Sequence, residues 1–278
     1  MMRFLLFILL LSSCATKNLT QKLSQDKYDL FKEETYLRYT KERLPKSNAV
    51  AQELFYCYNG DYSEAFDSLK KRLDQNTKNP EYWNAYGICY FLKEDLVKAD
   101  YFFGLALSYS NNKYLPAYNN LGMSALRRRD YQSALSYFEL ITKSKRSNLR
   151  IPLYNMAQIY LEHDRADLAL DLLTRLHKQN EQDPDIIISI AVAYLIKQNP
   201  DKAAYYIDQL FKKRQENTDV VFYKALILFE KKKWKESKEI LESRHFTKTL
   251  ILKRFAKKML SIVNSKLVEL DRQNIKKG

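Results

Sequence analysis

Three histidines and three cysteines are the side chains of this chain best suited to hold a metal or attack a carbonyl carbon, and their spacing suits neither task. His163, His177 and His245 are scattered and match no metal-ligand spacing. Cys57 and Cys89 form no Cys-x-x-Cys pair of the kind that holds zinc or shuttles electrons. No glycine-rich loop is present to cradle phosphate, and no Gly-x-Ser-x-Gly elbow to present a nucleophile. Carboxylates are frequent, but paired acids are ordinary on solvated helix surfaces. The chain reads as a protein without catalysis, metal or cofactor, so its chemistry must lie in what it binds.

The elements that would position a binding surface follow from composition. Only 5 glycines and 6 prolines occur in 278 residues. Few left-handed turns can be built from so little glycine, which favours an all-helical chain over a many-turned β protein. The 21 tyrosines and 14 phenylalanines are explained if large rings recur at fixed intervals between helices. A net charge of +14 attracts nucleic acid, anionic lipid or an acidic protein. The basic residues are nonetheless dispersed. Short runs at Arg127–Arg129, Lys212–Arg214 and Lys231–Lys233 suit helix C-terminal ends, where they complement the helix dipole. No nucleic-acid partner is expected.

The N-terminus speaks to the compartment. Met1-Met2-Arg3 precedes an apolar run, Phe4 to Leu11, in the order of a secretory signal. That run is too short for a bilayer core, which needs roughly 20 apolar residues. It ends in Leu11-Ser12-Ser13-Cys14. This tetrad resembles the lipobox of bacterial lipoproteins. The resemblance implies that residues 1–13 are removed and that Cys14 carries a covalent lipid, the one non-protein group expected. Ala15 rather than aspartate follows, which in lipoproteins implies an outer-membrane location facing the periplasm. Several buried acyl chains make a firm anchor.

Internal repetition is the dominant signal. Trp83, Tyr86-Gly87, Tyr90, Ala99, Phe103 and Ala106 are spaced as in the tetratricopeptide signature, which they resemble closely. The pattern recurs. A small residue stands at Ala65, Ala99, Ala134, Ala169, Ala203 and Ser237, at intervals of 34 or 35 residues. A large apolar residue follows each by four places: Leu69, Phe103, Phe138, Leu173, Ile207 and Leu241. A second small series runs Gly87, Gly122, Ala157, Ala191 and Ala225. Gly87 would let its helix approach the partner helix near Ala99, with Phe103 and Tyr90 filling the space above and below. Each pair has an apolar side it cannot bury alone, so neighbours must stack.

The expectation is therefore an all-α, right-handed superhelical α-solenoid of about six tetratricopeptide units over residues 46–247, starting near 46, 80, 115, 150, 184 and 218. Glu53 stands where the first unit should have a small residue, and Gly60 marks that unit's turn. Pro80, Pro116, Pro152 and Pro184 suit first helical turns, with Asn79 and Asp183 as caps. Residues 14–45 would be a lipidated tether with a possible helix from Asp26 to Arg43. Residues 248–278 would be a capping helix and basic tail, with Leu252, Phe255, Ala256, Met259, Val263 and Leu267 on one face. An oxidising compartment permits a Cys57–Cys89 bridge. Their non-equivalent places in adjacent repeats favour reading them as two small core hydrophobes.

In tetratricopeptide proteins the first helices line a concave face that takes extended peptides. The resemblance implies a lining of Asn84, Ile88 and Phe91, then Asn119, Asn120, Met123 and Arg127, then Tyr154, Asn155 and Gln158. An amide offers both donor and acceptor to a ligand's main chain, as Asn120 and Asn155 would; an arginine such as Arg127 pairs with a carboxylate. The alternative is that these asparagines bond within their own turns or to water. Further along, Ile188, Val192, Leu195, Phe222, Leu226 and Phe229 form either an exposed apolar strip or plain core. The architecture resembles type IV pilus pilotins, which help a secretin assemble, and lipoprotein adaptors of peptidoglycan enzymes. The function expected is an envelope scaffold binding a protein or peptide, with binding of a polyanion or lipid as the rival.

Overall fold

The computed structural model describes residues 50–144, 149–213, 217–243 and 250–275. Cys14, the tether, the Asp26–Arg43 segment and His245 lie outside the described residues. The described residues are helical, without a strand. The chain divides between Met156 and Ala157 into two compact units.

The first unit contains α1 (Ala51–Asn59), α2 (Tyr62–Lys71), the single turn α3 (Leu73–Asn76), α4 (Pro80–Leu92), α5 (Leu96–Tyr109), α6 (Leu115–Arg127), α7 (Tyr131–Thr142) and the start of α8 (Arg150–Glu162). Helices pair as α1 with α2, α4 with α5 and α6 with α7; α1 also packs on α4 and α4 on α6, so first helices stand side by side. The second unit takes the end of α8, then α9 (Ala166–Gln179), α10 (Pro184–Ile196), α11 (Pro200–Lys213), α12 (Thr218–Glu230), α13 (Trp234–Glu242) and α14 (Leu250–Ile275). Here α10 pairs with α11 and α12 with α13, and α14 packs on α13.

Size matching governs each crossing. Ala65, Ala99, Ala134, Ala169, Ala203 and Ser237 are all 0% exposed. Gly87 and Gly122 are buried against rings: a Cβ on Gly122 would lie 2.5 Å from Cε1 of Phe138, and one on Gly87 would strike the Phe103 ring. In the second unit the same position is Ala157, Ala191 and Ala225, and the position of the phenylalanines is Leu173, Ile207 and Leu241, all buried. In the first pair Glu53 occupies the crossing, opposite Leu69 rather than a ring. Its Oε1 accepts from Ser68 Oγ at 2.9 Å and Arg72 Nη1 at 2.8 Å. These bonds offset part of the cost of burying the charge; Oε2 is buried without a partner.

Every pair turns the same way. Gly60, Glu94 and Arg129 in the first unit, and Asp164, Gln198 and Lys232 in the second, have φ between 55° and 87°. The next residue donates its N–H to the carbonyl five places back: Asp61 to Tyr56, Asp95 to Tyr90, Asp130 to Ala125, Arg165 to Tyr160, Asn199 to Tyr194 and Lys233 to Leu228. These are the left-handed helix ends that usually carry glycine. Only the first uses it.

Second helices start on side-chain caps at Asp95 and Asp130, which accept from the N–H of Lys98 and Ser133. Those bonds hold both carboxyls below the usual aspartate range. First helices start on Asn79, Asp183 and Asn217. The aromatic content is spent between helices: the Tyr90 and Phe102 rings stack at 5.3 Å, and Tyr194 and Tyr206, the same positions in the second unit, at 5.8 Å.

Two open points of the sequence close. Cys57 and Cys89 are bonded to each other, with Cα atoms 5.1 Å apart, so α1 is fastened to α4 and the reading of two separate thiols is corrected. Proximity of α1 and α4 outweighs non-equivalent repeat position. The row Ile188, Val192, Leu195, Phe222, Leu226 and Phe229 is buried and belongs to the core of the second unit. In α14, Ala256, Met259 and Val263 are buried; the side chains of Leu252 and Phe255 are outside the described residues.

Candidate partner-binding site

The inner faces of α4, α6 and the start of α8 carry the polar row of the first unit. Asn84 on α4 is buried, whereas Asn119 and Asn120 on α6 and Tyr154 and Asn155 on α8 are half-buried. These asparagines neither close on their own turns nor stand alone. Asn120 Nδ2 donates to Asn84 Oδ1 at 2.8 Å. One repeat further, Asn155 Nδ2 reaches Asn119 Oδ1 and the Met123 sulfur, each at 3.5 Å. On the same helix but within the second unit, Gln158 donates to Ser189 Oγ at 2.9 Å, which donates onward to the Asp185 carbonyl. The Asn120 rung uses one donor and one acceptor, and in the Asn155 rung one Nδ2 faces two acceptors. The Oδ1 atoms of Asn120 and Asn155 and the Nδ2 of Asn119 keep their capacity, because an amide carries two donors and an acceptor with two lone pairs.

The row ends in a cation. Arg127, at the last turn of α6, places its guanidinium 5.4 Å from the centroid of the buried Phe91 ring. Its Nη1 meets Glu94 Oε1 at 3.3 Å, while its Nε is buried without an acceptor. Ile88 and Met123, both half-buried, form the apolar floor beside Phe91. Glu94 escaped the sequence reading because it lies in the turn after α4 rather than on a first helix. Its only signal is a place matching Gly60 in the repeat.

Neither described histidine joins this row. His163 bonds the Ile159 carbonyl, and the His177 ring lies edge-on to Tyr206. Both lie in the second unit, and His177 Nδ1 is buried without a partner.

No family model matches the chain, and no curated protein matches it. Solved structures do. The chain is similar to PilW, a type IV pilus biogenesis factor, at 20% identity over 73% of this chain and 94% of that one, with a TM-score of 0.62. It is similar to PilF of Pseudomonas aeruginosa at 14% identity, covering 75% and 95%, with a TM-score of 0.62. YrrB, a tetratricopeptide protein with an unusual peptide-binding site, matches at 18% identity over 68% and 97%, with a TM-score of 0.52. The protein has the all-α tetratricopeptide architecture.

Proposed function

We propose that this chain is a non-catalytic scaffold that binds a protein or peptide partner in the bacterial cell envelope, held to the membrane by lipid on Cys14. The amide row of the first unit carries the reading. Its rungs consume half of each linkage and leave half-buried donors and acceptors beside an apolar floor, the equipment that an extended main chain requires. The anchor rests on Leu11-Ser12-Ser13-Cys14, and an oxidising compartment agrees with the Cys57–Cys89 bond. By the same motif and Ala15, we place the chain at the outer membrane, facing the periplasm.

The rival, binding of a polyanion or lipid by a basic surface, would have to exchange exposed ion pairs, which cost little to break. Lys231 pairs with Asp201 at 2.6 Å, Lys233 with Glu236 at 3.0 Å and Arg128 with Asp100 at 2.8 Å. Crosslinking in living cells followed by mass spectrometry tests the choice. Asn120→Ala with Asn155→Ala should abolish partner recovery, and charge reversal of Lys231–Lys233 should leave it intact; the opposite ranking would favour the rival.

A second reading is an assembly factor for a secretin or pilus, like a pilotin. It takes support from the fold shared with PilW and PilF over nearly their whole lengths. Repeated recovery of a secretin with the chain would favour it, whereas recovery of cell-wall hydrolases would favour an adaptor of peptidoglycan enzymes.

A further inference from the structure

Charge is unevenly placed in the second unit. Between Leu250 and Val268 the sequence carries five Lys or Arg residues and no Asp or Glu. Four of the five, Lys253, Arg254, Lys257 and Lys258, are exposed on α14. Successive helical residues are turned by about 100°, so positions i, i+1, i+4 and i+5 share one side. That side is opposite Ala256, Met259 and Val263, which are buried where α14 packs on α13. Among the described residues none of the four cations has an ion-pair partner, whereas Lys224, Lys231, Lys233, Lys238 and Lys266 of the same unit each have one. An anion meeting this face therefore has no ion pair to exchange. Ser261 and Val268 continue the same side toward the end of the helix, and both are exposed.

We propose that the outer face of α14 lies against an anionic lipid surface, a contact made beside partner binding rather than in its place. The inference goes beyond the peptide-binding reading and stands without it. Three of the four cations are lysines, compact point charges without the rigid fork by which arginine grips a phosphate or carboxylate. A row of point charges suits headgroups that move freely in their layer, and matches poorly the acids held at fixed places on a folded protein. Among the described residues of this side no aromatic ring is exposed for a base to stack on, which separates the face from single-strand nucleic-acid sites. Val268 adds an apolar side chain that can enter the headgroup region. Each Lys or Arg near an anionic surface multiplies partitioning about fivefold, so four give on the order of several hundred-fold. A contact of that strength is reversible.

The test is flotation of the full chain carrying Cys14→Ala, which takes no lipid, with vesicles of phosphatidylcholine alone or with about one-third phosphatidylglycerol. The inference expects association with the anionic vesicles above whatever the neutral ones retain. That excess should vanish between about 0.1 M and about 1 M salt, as the screening length falls from about 10 Å to about 3 Å. Replacing Lys253, Arg254, Lys257 and Lys258 together by glutamine should weaken it on the order of a hundredfold or more. Ser261→Lys should strengthen it about fivefold, a gain that misfolding cannot produce. Equal association with neutral vesicles, an anionic preference that survives the fourfold replacement, or no gain from Ser261→Lys would each overturn the inference. Tighter capture by polyglutamate or RNA than by anionic vesicles of equal charge would assign the face to an acidic protein or a nucleic acid, and overturn it too. None of these outcomes bears on the amide row, which Asn120→Ala with Asn155→Ala tests separately.

Discussion

The two units answer the same packing problem with different residue pairs. In the first, Gly87 and Gly122 meet the rings of Phe103 and Phe138; in the second, Ala191 and Ala225 accompany Ile207 and Leu241. The small partner gains a methyl, and the large partner's ring gives way to a branched aliphatic chain. What is kept at these crossings is the summed volume, as expected for an interior packed as tightly as a crystal; the Glu53/Leu69 crossing of the first pair departs from it. The end helices differ as well. The first described pair is fastened by the Cys57–Cys89 bond, whereas the last pair is covered by α14 through Ala256, Met259 and Val263. The lesson is that a repeat constrains the joint, not the residue, and that terminal repeats need a device of their own.

The largest expected effect separates the two ends. Replacing Cys57 and Cys89 by alanine should cost the first unit about 3–4 kcal/mol, because the bond closes a loop with a sequence separation of 32. Hydrogen exchange should show α1 and α2 losing protection while α12 and α13 keep theirs. Equal loss in both units would erase the contrast.

Next comes the crossing itself. Gly122→Ala should destabilise its unit by roughly 2–3 kcal/mol through overpacking against Phe138. Ala191→Gly should cost only about 1 kcal/mol, the helix-propensity difference plus a small void. Denaturant unfolding of each variant measures both.

A smaller effect sharpens what the units share. Gln198→Gly and Lys232→Gly should each stabilise by about 0.5–1 kcal/mol, since their φ values of 55° and 60° burden an L side chain. Gly60→Ala should destabilise the first pair by roughly 1–2 kcal/mol, its φ being 87°.

The smallest effect is confined to the second unit. Burial raises the pKa of Glu230, and its Oε1 is buried without a partner. A raised carboxyl favours the protonated folded state, so its penalty is absent below the unfolded pKa and grows as pH rises toward the folded value. Glu230→Gln should therefore raise the melting temperature at pH 7 and leave it nearly unchanged at pH 4.

Much of the helical pairing was legible because it depends on residue size at a fixed beat, and size is printed in the sequence. Gly87, Ala99 and Phe103 announce a crossing before any coordinate is known. The turns were legible only at Gly60; the same backbone carries Glu94, Arg129, Asp164, Gln198 and Lys232, whose side chains give no hint of left-handed geometry. The amide rungs were hidden for another reason. Asn120 and Asn84 are 36 residues apart, and which amide faces which depends on how far one helix is displaced along its neighbour. The disulfide was obscured likewise, because equivalence between repeats says nothing of contacts between non-equivalent positions. Glu53 looked like a defect of the first repeat, yet Ser68 and Arg72 both bond its Oε1, while its Oε2 is buried without a partner.

The account's central claim is that each crossing fixes a combined volume, and a double-mutant cycle on Gly87→Ala and Phe103→Leu tests it most directly. Each single change should destabilise the first unit, the first by overpacking and the second by a void, and the double variant should recover most of that loss, because it recreates the Ala/Leu pairing of the second unit. Strictly additive losses would contradict the claim.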